Sequence, residues 1–320
     1  MDMKKYDVIA LGELLIDFVQ NGYDNGNPVF SANPGGAPCN VLAMLNKLGY
    51  RTAFIGKVGE DIFGRQLRGV LNSIGIDTAG LAVDPKIHTT LAFVEKKPDG
   101  DRDFSFYREP GADMMLREDE VSEELIKETR IFHFGTLSLT HEENSKATRK
   151  AVRTATEYGV TISFDPNLRE PLWNSLQDAW KAFDYGLRHC DILKISDNEI
   201  LWFTGKENYD EALAYLRDHY GIKLILLTLG KEGSRAVCGN YDVTVPGFVQ
   251  ANTVDTTGAG DTFMGSSLSY LLEHDLDTLT EKELKEMLTF ANAAASIVTT
   301  RKGALLSMPE RAEVEALIKG

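Results

Sequence analysis

The residues best suited to chemistry lie late in the chain, in Asp255-Thr256-Thr257-Gly258-Ala259-Gly260-Asp261-Thr262-Phe263. This string follows a loop and opens a helical pattern. Small residues at Gly258, Ala259 and Gly260 let a ligand approach the backbone closely. Amides at a helix start lack intrahelical partners and the dipole there is positive, so the place favours an anion such as phosphate. In the first turn, Asp261 can take a proton from an attacking hydroxyl as general base of a phosphoryl transfer. Equally, it can do no more than stabilise a helix N-terminus. There is no GxxxxGK[ST], which excludes a P-loop, and no GxGxxG after the first strand, so the dinucleotide fingerprint is missing.

A second constellation is Asn33-Pro34-Gly35-Gly36-Ala37-Pro38-Cys39-Asn40, ahead of the helical stretch Val41–Leu48. Gly35 and Gly36 expose backbone amides, and Asn40 offers both a donor and an acceptor, a combination that suits a polyol. A tight turn into a helix starting at Pro38 is the plainer alternative. Asp17 lies just past the first strand, at the carboxyl edge where open α/β sheets bind ligands. It can accept hydrogen bonds from two sugar hydroxyls there, or simply be a solvated loop residue.

The elements that must position these groups alternate. Strand-like apolar runs cover Tyr6–Leu11, Thr52–Val58, Ile131–Leu137, Val160–Phe164, Ile192–Ile195 and Leu224–Leu229. Between and after them come helical patterns at Arg65–Ile74, Glu142–Tyr158, Asp178–His189, Tyr209–Tyr220, Gly258–Leu272 and Glu281–Thr299. Such alternation predicts a mostly parallel sheet covered on both faces. Two segments break the rhythm. Leu14–Ser31 carries the turn signals Asn21-Gly22 and Asn25-Gly26. Leu91–Arg108 reads as a hairpin about Lys97-Pro98-Asp99-Gly100, with Phe104, Phe106 and Arg108 on one face of the returning strand. Together they predict a small β-flap beside the main sheet.

The chain has 320 residues, 34 Lys and Arg against 48 Asp and Glu, and a formal net charge of -14. Its length allows two domains or one large α/β domain with an inserted flap. The acidic balance argues against nucleic acid as the main partner, though a local site for an anionic small molecule remains compatible with it. No apolar run approaches the roughly 18 residues that span a bilayer. Cys39, Cys190 and Cys238 lie far apart with no CxxC, giving neither a disulfide framework nor a zinc site, and pointing to a reducing cytoplasm.

The two motifs, in this order, resemble the PfkB, or ribokinase-like, sugar kinases over essentially the whole chain. Gly35–Asn40 with Ile55-Gly56-Lys57-Val58-Gly59-Glu60-Asp61-Ile62-Phe63-Gly64 is similar to the family's amino-terminal signature, and Asp255–Asp261 to its carboxy-terminal one. The resemblance implies a Rossmann-like (ribokinase-like) three-layer α/β sandwich with a small β-sheet lid, from segments about 14–31 and 88–113. It implies transfer of the ATP γ-phosphoryl group to a sugar hydroxyl with magnesium. Asp261 then matches the catalytic base, and the amides of Gly258, Ala259 and Gly260 match the anion hole. Asp17, Gly35, Gly36 and Asn40 match sugar-binding positions.

In Lys194-Ile195-Ser196-Asp197-Asn198-Glu199, Glu199 matches the glutamate of an Asn-x-x-Glu motif linked to magnesium, while Ser196 replaces the usual asparagine. Lys194, Thr228, Gly230, Gly233 and Asn292 fall at nucleotide-side positions. Asp255, carbonyls near Thr257, Val298, Arg301 and Gly303, and the Ser307 hydroxyl match positions that hold potassium in relatives.

Phe104–Asp113 and Phe164-Asp165-Pro166-Asn167-Leu168-Arg169-Glu170-Pro171-Leu172-Trp173 resemble fructokinase segments, which makes fructose the expected acceptor. Related 2-keto-3-deoxygluconate kinases share the aromatic-x-Arg of the lid and an arginine after Asp-x-Asn. Phe106, Arg108 and Arg169 are therefore candidates for the substrate side, where a guanidinium could grip an acidic sugar. Arg169 could equally stabilise phosphoryl charge, and both arginines could be structural ion pairs. A non-catalytic sugar or nucleotide sensor is the rival from another class, and a dehydrogenase a more distant one. Exposed edges in the flap make a lid-mediated homodimer the expected assembly.

Overall fold

The computed structural model describes residues 4–96 and 102–320. Its main sheet joins β1 (Tyr6–Leu11), β4 (Thr52–Gly59), β5 (Asp77–Asp84), β8 (Thr129–Gly135), β9 (Thr161–Asp165), β10 (Ile192–Ser196), β11 (Leu224–Thr228), β12 (Ser234–Cys238) and β13 (Tyr241–Val245). Their order is β13-β12-β11-β10-β9-β8-β1-β4-β5. The pairs from β5 to β11 are parallel, and β12 and β13 return antiparallel.

Helices cover both faces because inward residues alternate. Val8 and Ala10 of β1 join one core with Leu42, Leu67, Phe263, Leu288 and Val314. These last five come from α1 (Ala37–Lys47), α2 (Ile62–Ser73), α8 (Ala259–Glu273), α9 (Glu281–Val298) and α10 (Arg311–Lys319). Ile9 and Leu11 join the other core with Ile126, Val152, Phe183, Phe203 and Leu216. Those come from α3 (Glu123–Lys127), α4 (Glu142–Glu157), α5 (Leu176–Leu187), α6 (Asp197–Thr204) and α7 (Tyr209–Tyr220). The expected three-layer α/β architecture is thus observed.

A second sheet has the order β3-β2-β6-β7. It comprises β2 (Leu15–Asp24), β3 (Asn27–Gly35), β6 (Leu91–Lys96) and β7 (Arg102–Tyr107). Asn25 and Gly26, with φ of 47° and 82°, make the turn between β2 and β3, as the Asn-Gly pair predicts. Asn21-Gly22 is not a turn. It marks a register shift within the β2–β3 pair, where Gly22 takes φ 131°. The Lys97–Gly100 turn and the Phe104 side chain lie outside the described residues. Antiparallel pairing of β6 with β7 nevertheless carries the expected hairpin. The sequence reading did not resolve β5, β12, β13, α3, α6 or α10. Short strands such as β12 (SRAVC) and β13 (YDVTV) lack the long apolar runs that stood out elsewhere.

Inside the sheet, His133 on β8 lies fully buried with Nδ1 2.6 Å from the Ser163 hydroxyl of β9. Burial, with a smaller push from Lys194, lowers its pKa to about 3. Neutral in the fold and titrating near 6.5 when unfolded, it contributes stability that is present above about pH 6.5 and lost as pH falls towards 3. We expect His133→Leu to shrink this acid-side loss in denaturant unfolding measured across pH. An unchanged acid limb would refute the assignment.

Candidate active site

Strand order reverses between β1 and β8, with β4 and β5 added outward on one side and β9 to β13 on the other, although the two strands run parallel; the crevice beyond their carboxyl ends is therefore the expected ligand position. A cleft of about 580 Å³ opens there. Its walls come from the β1–β2 loop, the second sheet, the starts of α1 and α8, the stretch that follows β9, Lys194 of β10, and the 255–257 and 303–304 loops.

Two helix starts meet at its floor. Helix α8 begins after Gly258 (φ 79°), a cap residue that brings no side chain. A Cβ at Gly258 would come within 2.5 Å of Ala304, so a side chain there would clash. The Ala259 amide donates to the Thr256 carbonyl at 3.2 Å, and Ala259 does not line the cleft, whereas Gly258 and Gly260 do. Of the three candidate anion-hole residues, the cleft is thus met by Gly258 and Gly260. Helix α8 packs closely on α1 because Gly265 has no side chain: a Cβ there would lie 2.8 Å from the Val41 carbonyl and from Met44. This approach brings Asn40 Nδ2 within 2.8 Å of Asp261 Oδ2. Asn167, in a left-handed conformation (φ 53°), donates to Asp261 Oδ1 at 3.3 Å. Burial raises the Asp261 pKa, while Asn40, Lys194 and Arg169 work in the opposite direction.

Lys194 rises beneath Gly260, where a Cβ would sit 3.0 Å from its Nζ. It pairs with Asp165, 3.0 Å away and also buried. Burial pushes Asp165 up to about 7, with Glu199 and Asp261 adding to the effect and Lys194 opposing it. For Lys194, burial disfavours the charge, yet Asp165, Glu199 and Asp261 outweigh it and the pKa is raised.

The opposite wall carries Asp17, Asn33, Gly36, Val94 and Phe106. Burial pushes the Asp17 carboxyl up to about 6. Gly35 does not line the cleft. It belongs to β3, where a Cβ would lie 2.4 Å from the Asp17 carboxylate, so its lack of a side chain makes room for that group.

Arg108 does not line the cleft. The residue is 5% exposed, and its guanidinium is bonded to Asp113 at 2.6 and 2.8 Å, Thr140 at 2.9 Å and the Leu137 carbonyl at 3.1 Å. Arg169, by contrast, is exposed and reaches the cleft.

The nucleotide-side candidates Ser196, Glu199, Thr228, Gly230, Gly233 and Asn292 lie outside the cleft lining. Asn292 donates to the Val245 and Pro246 carbonyls. Glu199 accepts from the Leu168 amide at 2.7 Å and from the Ser196 amide and hydroxyl at 2.9 and 2.7 Å. Burial pushes Glu199 up, but Lys194 and these donors prevail and its pKa is lowered. Among the described residues no group of three or more His, Cys, Asp or Glu side chains could hold a metal.

Of the potassium candidates, Asp255, Thr257 and Gly303 line the cleft, while Val298, Arg301 and Ser307 do not. The two loops are tied, since the Val254 and Asp255 amides both donate to the Thr299 carbonyl at 2.8 and 3.0 Å. The Arg301 guanidinium reaches the Ser307 carbonyl at 3.1 Å, and the Ser307 hydroxyl donates to the Lys302 carbonyl at 2.6 Å.

The sequence reading overlooked Glu13, Asp165 and Asn167 as separate contributors. All three sit just past or at the end of a buried strand, the same cue that singled out Asp17.

A helix start headed by glycine, a buried carboxylate beside it and a cleft lined with polar side chains suit the transfer of an anionic group onto a polyol. Residues 5–311 match the pfkB family carbohydrate kinases. A probable fructokinase-4 of Arabidopsis thaliana is 40% identical over 316 residues, 98% of this chain and 97% of its own. The crystal structure of a Xylella fastidiosa fructokinase with bound ATP aligns with TM-score 0.88 at 30% identity, covering 98% of both chains. That of a Vibrio cholerae O395 fructokinase in fructose, ADP and calcium ion bound form aligns with TM-score 0.89 at 29% identity, covering 98% and 99%. The chain belongs to the pfkB family of carbohydrate kinases, as its two signatures led us to expect.

Proposed function

We propose that this carbohydrate kinase is an ATP-dependent fructokinase that phosphorylates the 6-hydroxyl of D-fructose. The observation that carries a neutral sugar over a keto-deoxy acid is the position of Arg108. Held by Asp113, it has no free face for a substrate carboxylate, while Glu13, Asp17, Asp255 and Asp261 give the cleft an acidic lining. The fructokinase names of the relatives support the same choice.

In this reading Asp17 and Asn40 hold sugar hydroxyls and Gly36 offers its backbone, while Phe106 and Val94 cover the ring. The small sheet, from segments about 14–31 and 88–113, acts as a lid within one domain and excludes water on closing. Asp261 takes the proton of the 6-hydroxyl as its oxygen bonds to the γ-phosphorus and the bond to the ADP oxygen breaks. The Gly258 and Gly260 amides, Lys194 and Arg169 stabilise the transferring charge. Magnesium, travelling on the ATP phosphates, supplies charge neutralisation. Glu199, already accepting three hydrogen bonds, would hold the metal through water. The tied 254–257 and 298–307 loops, rich in hard oxygens, are where a potassium ion would steady the anion-binding turn. ATP lies towards Thr228, Gly230, Gly233 and Asn292. A cytoplasmic homodimer joined through the lid completes the proposal.

The test is a coupled ADP-release assay with fructose, ribose, 2-keto-3-deoxygluconate and nucleosides side by side. Fructose should give the highest kcat/KM, and fructose no better than the others would overturn the assignment. Asp17→Asn should raise the KM for fructose about 10–100-fold, the value of hydrogen bonds to a charged group, with the KM for ATP unmoved. Because the group is ionised above about 6, wild-type kcat/KM for fructose should fall as pH drops through that value.

A further inference from the structure

We infer that Glu13 is a positioning residue for the sugar: its carboxyl caps helix α1 from outside the helix and so holds Asn40 and the Gly36 backbone in register with Asp261. The inference rests on the reading of Asn40 and Gly36 as sugar-holding groups.

Helix α1 has an unusual start. Its cap residue is Gly36, which brings no side chain, and no side chain of the cap residue accepts a first-turn amide. Nor could a larger residue serve, because Gly36 has φ 132° and a Cβ would lie 2.3 Å from the Glu13 carbonyl oxygen. Pro38 contributes no N–H, and the Asn40 amide already bonds to the Gly36 carbonyl at 3.0 Å. The Ala37 amide is thus a first-turn donor in need of an acceptor, and Glu13 Oε1 receives it at 2.8 Å. A carboxylate at this end also suits the helix dipole.

Glu13 itself is 5% exposed and lies two residues past the end of β1. The same loop is seated on the helix through Gly12, where a Cβ would lie 2.6 Å from the Pro38 ring. Burial pushes the Glu13 carboxyl up to about 7, with Arg108 opposing and Asp113 adding. Placing a carboxyl in such surroundings is costly, and the Ala37 bond gives it a purpose. Asn40 lies one turn along the helix it caps. A shift of α1 therefore moves the group that contacts Asp261, and a displacement of about 1 Å can cost up to about 100-fold in rate.

Two replacements separate reach from charge. Glu13→Asp keeps the charge but is too short to reach Ala37, whereas Glu13→Gln keeps an oxygen at the same reach. Glu13→Asp should raise the KM for fructose about tenfold or more with the KM for ATP unmoved, and Glu13→Gln should recover most of that loss. Ala37→Pro removes the donor while leaving Glu13 in place, at a position where proline suits a helix start. It should reproduce the Glu13→Asp defect, which keeps the test open should Glu13→Asp not fold. A wild-type KM for fructose in both Glu13→Asp and Ala37→Pro, or Glu13→Gln as impaired as Glu13→Asp, would overturn the inference. Asn40→Ala distinguishes the two levels. If it leaves fructose kinetics unchanged, the reading of Asn40 itself falls; if it is impaired while Glu13→Asp and Ala37→Pro are normal, only the role of Glu13 falls.

Discussion

Asp261→Asn is expected to fold, to bind ATP and to lose about 10²–10⁴-fold in turnover, the usual contribution of a positioned general base. The substitution is close to sterically neutral, and one carboxyl oxygen's hydrogen bond is kept. Asp261 now accepts from the Asn40 and Asn167 side-chain amides at 2.8 and 3.3 Å. The Asn40 Oδ1 atom has no partner although it is buried. A flip of the Asn40 amide would turn that oxygen towards a new NH₂ group at position 261, but it would carry the Asn40 NH₂ to the buried side where no partner is found. An unsatisfied buried donor costs about 1–3 kcal/mol, so a folded, ATP-binding variant that has lost turnover reports chemistry rather than collapse. The checks are kcat in the coupled assay, ATP affinity by calorimetry and the melting temperature. Near-normal kcat would refute the base assignment.

Lys194→Met should cost both stability and rate. Its ammonium is the buried positive charge on which Asp165, Glu199 and Asp261 all act. Removing it leaves Asp165 unpaired at 2% exposure, and breaking a buried pair from one side typically costs about 3–5 kcal/mol. The double variant Asp165→Asn/Lys194→Met should regain part of that loss, because the directly paired carboxylate is gone while Glu199 and Asp261 still lack the ammonium. Denaturant unfolding of the single and double variants checks this. A single-variant loss below about 1 kcal/mol, as for an exposed pair, would show that the Lys194–Asp165 pair is not the buried support described here. Turnover should stay about 10²-fold or more below wild type even in the stabilised double variant, since the charge beneath Gly260 is still missing. Recovery of stability without recovery of rate would separate the two duties of this lysine.

Much of the fold was legible because buried parallel strands are continuous apolar runs, and helices between them repeat at their own period. Tyr6–Leu11 and Tyr209–Tyr220 occur with the expected bounds. The short antiparallel strands were not legible, since five residues facing two environments carry little pattern. Gly35 was read as part of a turn because glycine pairs favour turns, yet β3 extends to it: its missing side chain serves contact with Asp17 instead. Arg108 shows a different limit. Its spacing from Phe106 put both on one strand face, but the strand ends at Tyr107 and the chain then turns the guanidinium into Asp113.

What the sequence by itself determined is local chemistry: an α/β alternation, a glycine-rich helix start able to receive an anion, and a carboxylate one turn inside it. These follow from residue type and near-neighbour spacing, which act over a few residues. Tertiary structure alone decided partnership. Asn40 meets Asp261 across 221 positions of chain, Lys194 finds Asp165, Glu13 caps a helix that cannot cap itself, and Arg108 is drawn away from the cleft. The physical reason is that a charge or hydrogen-bonding group acts on whatever the packed fold places within about 3 Å of it, and sequence spacing does not encode which distant residue that is.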